Sequence, residues 1–416
     1  MSKILFKELM HNIYNLKDVS TLSVGPMSTN VIRACFEMAQ EYNFPLIFIA
    51  SRNQIDLKKY GGGYVNGWDQ FDFVNNIKQI AQEINFYDFY ICRDHGGPWQ
   101  RDEERNAHLP IDQAMAIAQE SFTADIKAGF DMIMVDPTKD PFVSGKVVPM
   151  DFVLDKTVEL IEFCENQRKT LGIREISYEV GTEETNGGLT STEEYDFFLT
   201  ELKNRLNKLN LPLPIFAVGQ TGTLVKSTIQ AGRFNFTNAK KLSAMAIKHK
   251  VFLKEHNADY LDDASLLQHI PARVFATNVA PQFGTEETRG YLVLCSIEDV
   301  LFKHKIITKK SNLHNILLNK AIKTKRWKKW VVSEHISRLS FDVIKQDKVL
   351  SDEILQIAGH YVLNDESVKK EIKTLFKNLD KAYIDGERYI INRIKNSVRQ
   401  FVECFNLHNS LKRAKN

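Results

Sequence analysis

Three side chains in the sequence could together bind a divalent metal ion. His95, Glu183 and His256 each follow a short apolar segment that reads as a buried strand. Two imidazoles and a carboxylate suit Zn²⁺, Mn²⁺, Fe²⁺ or Co²⁺ and leave a position open for a substrate oxygen. Of these ions we expect Zn²⁺ or Mn²⁺. Such a cation would polarise a ketose carbonyl and make a neighbouring C–C bond cleavable.

Carboxylates close to these ligands are candidates for moving protons. Asp94 directly precedes His95, and Glu179 lies four residues before Glu183. We expect Asp94 and Glu179 to exchange protons with a sugar hydroxyl, and we count Glu183 as a catalytic candidate as well as a ligand. A purely structural interpretation stays open, in which His95 hydrogen-bonds Asp94 or a backbone carbonyl and His256 is a satisfied core residue.

Other polar side chains at the ends of predicted strands are candidates for binding substrate. They are Arg52, Asn53, Gln54, Arg93, Asp136, Gln220 and Asn278. The stretch from Asn278 to Gly284 leads into the last predicted helix, and backbone N–H groups at such a helix start commonly bind phosphate. We therefore expect a phosphate site there, with Arg52 or Arg93 assisting.

The elements that must position these side chains alternate regularly. Apolar or β-branched runs predict eight strands at 21–24, 46–50, 89–92, 132–135, 175–180, 215–218, 251–253 and 273–276. Segments of helical period predict helices at 28–42, 69–84, 111–128, 151–170, 192–208, 236–249, 263–269 and 285–302. Eight such units predict an α/β protein with a (β/α)8 TIM barrel, which gathers all eight strand ends at one mouth. An open sheet binding a nucleotide is the alternative, but no glycine-rich phosphate motif follows any strand.

Charge divides the chain into two parts. Residues 303–416 carry 25 Lys and Arg against 12 Asp and Glu, whereas residues 1–302 carry 30 against 40. We predict a barrel over 1–302 and a basic, mostly helical extension over 303–416. The extension would dock on the acidic barrel or on an acidic partner. Its segment KTKRWKKWVV at 323–332 is predicted to bury its tryptophans against the barrel. Binding of nucleic acid by the extension is disfavoured, because no recognition motif for nucleic acid is present in it.

Composition favours a soluble, folded protein. Hydrophobic residues make up 43% of the chain and charged residues 26%, and no apolar run approaches the roughly 20 residues of a membrane span. The first 25 residues carry charges where a signal peptide would need an apolar stretch. We expect a cytoplasmic protein, without a membrane partner, that forms a homo- or hetero-oligomer.

Several short motifs resemble one protein family. They are NQ at 53–54, GGY at 62–64, DHGGPW at 94–99, VD at 135–136, VGTEETNGG at 180–188, GQTG at 219–222, HNADY at 256–260 and NVAP at 278–281. The tail segment from His360 to Asp380 resembles the same family. This is the GatZ/KbaZ family, the accessory or "non-catalytic" subunits of class II D-tagatose-1,6-bisphosphate aldolase.

The resemblance implies two alternative functions. Catalytic class II aldolases, which look distantly related, pair an acidic residue with a zinc-binding histidine at the third strand, and Asp94 and His95 match that pair. His256 looks like their late-strand zinc histidine, whereas Gln220 stands where a further histidine would be, a loss that Glu183 could restore. The chain is then a metal-dependent aldolase or ketose 4-epimerase acting on a ketose or its phosphate. Alternatively it is a non-catalytic subunit that stabilises a separate class II aldolase.

Overall fold

The computed structural model describes residues 3–143, 148–182 and 188–416. Its strands are β1 (Thr21–Val24), β2 (Leu46–Ser51), β3 (Phe89–Gly96), β4 (Met132–Val135), β5 (Ser177–Gly181), β6 (Phe216–Val218), β7 (Val225–Lys226), β8 (Ile229–Gln230), β9 (Phe252–Glu255) and β10 (Ala276–Val279). Eight of them form a closed parallel barrel in the order β1-β10-β9-β6-β5-β4-β3-β2, while β7 and β8 make a separate antiparallel hairpin. The predicted TIM barrel is confirmed.

Helices surround the barrel strands. They are α1 (Phe6–Leu16), α2 (Thr29–Tyr42), α3 (Gln70–Ile84), α4 (Asp102–Asn106), α5 (Ile111–Ala128), α6 (Met150–Thr170), α7 (Thr192–Lys208), α8 (Phe236–Lys248), α9 (Asp263–Leu266), α10 (His269–Ala272) and α11 (Pro281–Lys303). The strands are buried along nearly their whole length because the barrel packs its own core inside and the helices cover it outside. This two-sided burial explains the continuous apolar runs in the sequence.

The rest of the chain after Lys303 is also mainly helical. It contains α12 (Leu313–Lys323), α13 (Glu334–Ser337), α14 (Phe341–Gln346), α15 (Lys348–Ala358), α16 (Glu366–Asp380), α17 (Gly386–Cys404) and α18 (Ser410–Lys415), with short 3₁₀ turns at Lys58–Tyr60, Arg326–Lys329 and Gly359–Val362. No helix among the described residues combines the length and apolarity needed to cross a lipid bilayer.

Ion pairs join the basic helices to acidic side chains of the barrel. Arg388 lies 2.7 Å from Glu37, Arg413 lies 2.5 Å from Asp18, and Lys415 contacts Asp88. The backbone N–H of Asn409 also donates to the carbonyl of Tyr42 at 2.8 Å. The excess of positive charge after Lys303 is therefore turned, in part, toward the acidic barrel of the same chain.

Two predicted strands differ from the observed ones in a way that matters for the site. β3 continues to Gly96, four residues beyond the predicted end, and β10 begins at Ala276, where the predicted strand ends. The inward-facing residues at these ends are polar, so an apolar pattern could not locate them. As a result Asp94, His95 and Asn278 lie on strands of the barrel and not in the loops that follow.

A helix that we did not predict covers the amino ends of the strands. The α1 side chains Phe6, Leu9, Met10 and Ile13 are buried. The Phe6 ring centroid lies 5.3 Å from that of Tyr90, at the start of β3. Because this end of the barrel is covered by apolar packing, polar chemistry is concentrated at the opposite end.

Candidate metal and substrate site

The side chains of His95 and His256 meet at the carboxyl ends of β3 and β9. Their ring centroids are 4.9 Å apart, with the planes nearly perpendicular. Asp94 joins them, since one potential ligand atom from each of these three residues lies within 4.8 Å of the others. The barrel thus brings together two of the three predicted metal ligands, which are far apart in the chain.

His95 is held by the buried carboxylate of Asp136, which directly follows β4. Its Nδ1 lies 2.6 Å from Asp136 Oδ2. A bulge between Arg93 and Gly96 and a positive φ of 46° at His95 turn the ring toward the mouth of the barrel. Gly97 is required there, because at its φ of 145° a Cβ would lie 2.6 Å from the carbonyl oxygen of Asp136.

Charge around His95 favours its protonated form in the absence of a metal. Burial alone would lower the pKa of this imidazole, but the carboxylates of Asp94 and Asp136 outweigh burial and raise it. Burial likewise opposes the charge of Asp136, yet hydrogen bonds from His95 and Thr138 lower the pKa of Asp136 to about 2. A cation at this position is therefore favourable, whether it is a proton or a metal ion.

His256 is held by a second carboxylate, Glu179 on β5. Its Nε2 lies 3.0 Å from Glu179 Oε1, and Lys254 Nζ lies 2.6 Å from the other oxygen, Oε2. Although burial would raise the pKa of Glu179, Lys254 and His256 lower it, so the carboxylate is ionised. Glu179 and Lys254 are each about 1% exposed. Glu179 thus lies beneath His256, and its geometry fits a residue that positions this imidazole.

Asp94 faces the mouth itself. Its Oδ1 accepts a hydrogen bond from Asn278 Nδ2 at 2.9 Å. The Asp94 carboxylate also lies 3.8 Å from His95 Nε2 and 4.0 Å from His256 Nε2, distances that are too long for a hydrogen bond to either ring. Of the two carboxylates predicted to move protons, Asp94 is the one that a substrate could reach.

The donor set fits a divalent cation. In His95 the Nδ1 is bonded to the buried carboxylate of Asp136 and Nε2 faces Asp94, which is the usual arrangement behind a metal-binding histidine. In His256 it is Nε2 that both bonds to Glu179 and faces Asp94, so a metal bound through this nitrogen would replace the hydrogen bond to Glu179. Within the described residues the group whose geometry could hold a metal ion is Asp94, His95 and His256. Glu183, predicted as a ligand and as a catalytic residue, lies outside the described residues.

Two adjoining clefts open over the histidine pair. One, of about 210 Å³, is lined by Asn53, Gln54, Asp94, His95, Gln100, Lys139, His256, Asn278, Arg326, Lys329, Trp330 and Tyr361, among others. The second, of about 390 Å³, adds Asp136, Arg105 and Lys226. In the described part of the chain, Asn278 Oδ1 and Gln100 Oε1 are buried in the first cleft without a hydrogen-bond donor. These two oxygens are suited to accept hydrogen bonds from substrate hydroxyls.

The geometry corrects the predicted role of two arginines. Arg93 donates to both oxygens of Asp125, at 2.6 and 2.8 Å, and Arg52 is bonded to Asp56 and Glu104. Both guanidinium groups are fully buried and lie outside both clefts. Arg93 points toward the outer helices because neighbours on a strand face opposite sides, so its position next to Asp94 places it away from the mouth. These arginines stabilise the barrel wall.

The predicted phosphate site at the start of α11 is also corrected. Asp259 Oδ1 already accepts the backbone N–H groups of Ala280 and Gln282, at 3.0 and 2.8 Å. Gly284 does not face substrate, because it packs under the chain after Lys303, and a Cβ there would lie 2.8 Å from Cγ of His360. A buried carboxylate of the protein thus takes the place that we assigned to phosphate.

Gln220 is buried behind the mouth and lines neither cleft. Its backbone N–H donates to Thr190 Oγ1 at 2.7 Å. Asn53 and Gln54 do line the first cleft, although the Asn53 amide is already bonded to the backbone of Gln100 and Asp102. The sequence-based substrate set is therefore reduced to Asn53, Gln54 and Asn278 at the cleft surface, with Asp136 bordering the second cleft.

Four cleft residues from the chain after Lys303 were missed as site residues. Arg326, Lys329, Trp330 and Tyr361 line the first cleft. The segment KTKRWKKWVV was predicted to bury its tryptophans against the barrel. Trp327 is 1% exposed, but its turn packs on the helices after Lys303 and its Nε1 donates to the carbonyl of Ile322, while Trp330 is half-buried. The unusual density of cations beside aromatic residues in this segment was the signal that could have pointed to the site.

Comparisons with known proteins identify the family and the fold. A family model described as D-tagatose-1,6-bisphosphate aldolase subunit GatZ/KbaZ-like matches residues 6–403. The fold is similar to that of a probable tagatose 6 phosphate kinase from Sinorhizobium meliloti 1021, with a TM-score of 0.72, 18% identity and coverage of 92% of this chain and 100% of that one. It is also similar to fructose-bisphosphate aldolase from Campylobacter jejuni, with a TM-score of 0.56, 11% identity and coverage of 98% and 97%. At these identities the two structures show a shared fold. A search of curated proteins found no match.

Proposed function

The chain belongs to the GatZ/KbaZ-like family of D-tagatose-1,6-bisphosphate aldolase subunits, and from this premise we propose that it is itself a metal-dependent enzyme acting on a ketose phosphate. The proposed reaction is retro-aldol cleavage, or cleavage followed by re-addition, which would epimerise the sugar at C4. The observation that carries the proposal is the convergence of Asp94, His95 and His256 within 4.8 Å at the mouth of the barrel.

His95 and His256 would hold the metal, together with either Asp94 or the sequence-based candidate Glu183. A bound Zn²⁺ or Mn²⁺ would supply polarisation of the substrate carbonyl. Asp136 and Glu179 orient the two imidazoles through hydrogen bonds of 2.6 and 3.0 Å. Asp136 is buried beside His95, and burying a carboxylate is costly without a cation to pair with, whereas Glu179 is already paired with Lys254.

Proton transfer in this proposal belongs to Asp94. Its carboxylate faces the first cleft and is fixed by Asn278, so it is placed to take the proton of a sugar hydroxyl as the adjacent C–C bond breaks. If Asp94 binds the metal, the proton passes to another base, for which Glu183 is the sequence-based candidate. Asn278 and Gln100 would accept hydrogen bonds from the remaining hydroxyls.

A second function is supported by a specific observation. The matching family is described as an aldolase subunit. By the resemblance described above, Gln220 stands where catalytic class II aldolases have a histidine. The chain could therefore stabilise a separate class II aldolase without turning over substrate. Under this alternative, binding of a metal or a sugar in the cleft would have no effect on activity.

The deciding experiment combines metal content with turnover. Protein is stripped with EDTA, dialysed, and loaded with Zn²⁺ or Mn²⁺. It is then incubated with tagatose and fructose bisphosphates while triose phosphate release and ketose epimerisation are followed. We expect bound metal and EDTA-sensitive turnover. Turnover that survives EDTA, or inert protein that raises the activity of an added class II aldolase, would overturn the enzyme proposal.

The chain offers a matched control for the ligands. His249 Nε2 bonds to Asp196 at 2.5 Å, much as His95 bonds to Asp136, but it lies on the outer helices. We expect H95A and H256A to lose metal and activity, whereas H249A retains both. Equal metal content in all three variants would exclude the proposed ligands.

A further inference from the structure

Phosphate recognition in this barrel must use something other than the start of α11. There Asp259 already accepts two of the backbone N–H groups that would bind phosphate. Elsewhere at the mouth, the described residues place an unusual concentration of cations. Lys139 and Lys329 line both clefts, Arg326 lines the first, and Arg105 and Lys226 line the second.

Internal carboxylates only partly neutralise three of these cations, Arg105, Arg326 and Lys329. Lys329 Nζ lies 3.5 Å from Asp102, Arg326 lies 3.7 Å from the same carboxylate, and Arg105 is also paired with it. Burial would raise the pKa of Asp102, but Lys329, Arg105 and Arg326 together lower it. Arg326 has a further ion pair with Glu103 at 3.8 Å, but Glu103 is itself shared with Arg101. Three cations therefore share Asp102, and within the described part of the chain only Arg326 of the three has a further carboxylate partner.

Arg326 is fixed in place yet keeps its donors available. Its guanidinium lies over the rings of Tyr64 and Tyr361, 5.2 and 5.4 Å from their centroids. Both of its carboxylate contacts are longer than a hydrogen bond. Trp330, whose Nε1 donates to Tyr361 at 3.0 Å, closes this side of the cleft. A guanidinium that is oriented by aromatic rings is well suited to bind a phosphate group.

We propose that Arg326 and Lys329, from the chain after the barrel, form with Lys139 a subsite for the phosphate group of a phosphorylated sugar. The subsite lies in the same cleft as His95 and His256, so the sugar would span from the cations to the histidine pair. The identity of the sugar in this subsite rests on the proposed function. The binding of phosphate by the three cations does not. Through this subsite the basic segment at 323–332 becomes a part of the substrate site.

Binding measurements on EDTA-treated, full-length protein test this without metal or turnover. The probes are fructose 1,6-bisphosphate and fructose, compared by isothermal titration calorimetry at low and high salt. We expect the phosphorylated sugar alone to bind well, and R326A/K329A to weaken it by roughly tenfold or more because charge-assisted contacts are lost. K328A is the control, since Lys328 is exposed on the same turn and lines neither cleft.

A variant that should strengthen phosphate binding separates an effect on recognition from an effect on folding. Asp102 competes with phosphate for the same cations, so D102N should tighten binding of fructose 1,6-bisphosphate. If the cluster served only to dock the chain, D102N would not improve binding. Because R326A could loosen the docked segment, K329Q serves as a milder variant, and the melting temperature of each protein is measured.

Each outcome has a defined meaning. Weakened binding in R326A/K329A and in K329Q, with K328A unchanged and D102N tighter, supports the subsite. Unchanged binding in R326A/K329A, or an equal loss in K328A, overturns it. If phosphate binds as expected but no ketose phosphate is turned over, the subsite stands and the proposed enzyme function fails. If ketose phosphate is turned over while the cation variants bind phosphate normally, the proposed enzyme function stands and the subsite fails.

Discussion

A buried glutamate on α11 should make the stability of this protein depend on pH. Glu287 is 1% exposed and accepts hydrogen bonds from Ser28 Oγ at 2.5 Å and Asn30 Nδ2 at 2.8 Å. Burial is the main cause that raises the pKa of Glu287 from 4.5 to about 7, against the effect of these two donors. The folded protein therefore holds this proton more tightly than the unfolded chain does.

The sign and size of the effect follow from that difference. The neutral carboxyl contributes fully to stability below about pH 4.5, and the contribution is lost as the pH rises through 7. At about 1.4 kcal/mol for each pH unit between the two pKa values, the loss totals about 3 kcal/mol, most of it between pH 5 and 8. The substitution E287Q keeps the shape of the side chain and removes the titration.

Urea unfolding followed by tryptophan fluorescence measures the effect. We expect E287Q to gain about 2–3 kcal/mol of stability relative to wild type between pH 5 and pH 8. The comparison at each pH cancels the contributions of other titrating groups. The neighbouring variant E286Q is the control, because Glu286 forms ion pairs with Arg289 and Arg393 at 2.6 and 2.8 Å, and its loss should not stabilise the protein at pH 8. A difference between E287Q and wild type that is the same at both pH values would refute the assigned pKa.

Three further predictions concern the barrel wall and the chain after it. R93M should destabilise the fold by about 3–5 kcal/mol in urea unfolding, because it leaves Asp125 buried without its cation, and a second change, D125L, should recover part of that loss. G284A should lower the thermal midpoint, since its Cβ would lie 2.8 Å from His360, at a cost of about 1–3 kcal/mol; an unchanged midpoint would show that His360 can move. Deletion of residues 305–416 should give insoluble protein in an expression test, because these helices cover α2 and α11, and a soluble, folded truncation would contradict this.

The sequence predicted the architecture well because the barrel is built from locally readable units. Apolar runs located seven of the eight barrel strands closely and met β10 only at Ala276. Most helix boundaries differ by one residue or none, as at Ile111–Ala128 and Thr192–Lys208. The largest errors occurred where inward-facing positions are polar. β10 contains Thr277 and Asn278, so its apolar pattern is interrupted at the residues that face the cleft.

The residues of the site were predictable to the extent that they end strands. Asp94, His95 and His256 stand out because charge and imidazole abut buried apolar runs, and the closed barrel brings such ends to one mouth. Lys254, by contrast, is a charged residue inside β9, and nothing in the sequence pattern points to its role. In the structure it pairs with Glu179, which in turn bonds to His256. Whether a polar residue at a strand end faces the mouth depends on the register of that strand in the barrel. The order of apolar and polar residues along one strand does not show this register.

Residue order alone determined the alternation of strands and helices, the barrel, and the presence of imidazoles and carboxylates at its strand ends, because these depend on periodicity over a few residues. Only the folded chain decided that Arg93 faces outward, that Asp259 takes the N–H groups at the start of α11, and that Arg326 and Lys329 return to the mouth of the barrel. These features depend on contacts between residues distant in sequence, and such contacts are selected by packing and by the pairing of buried charges.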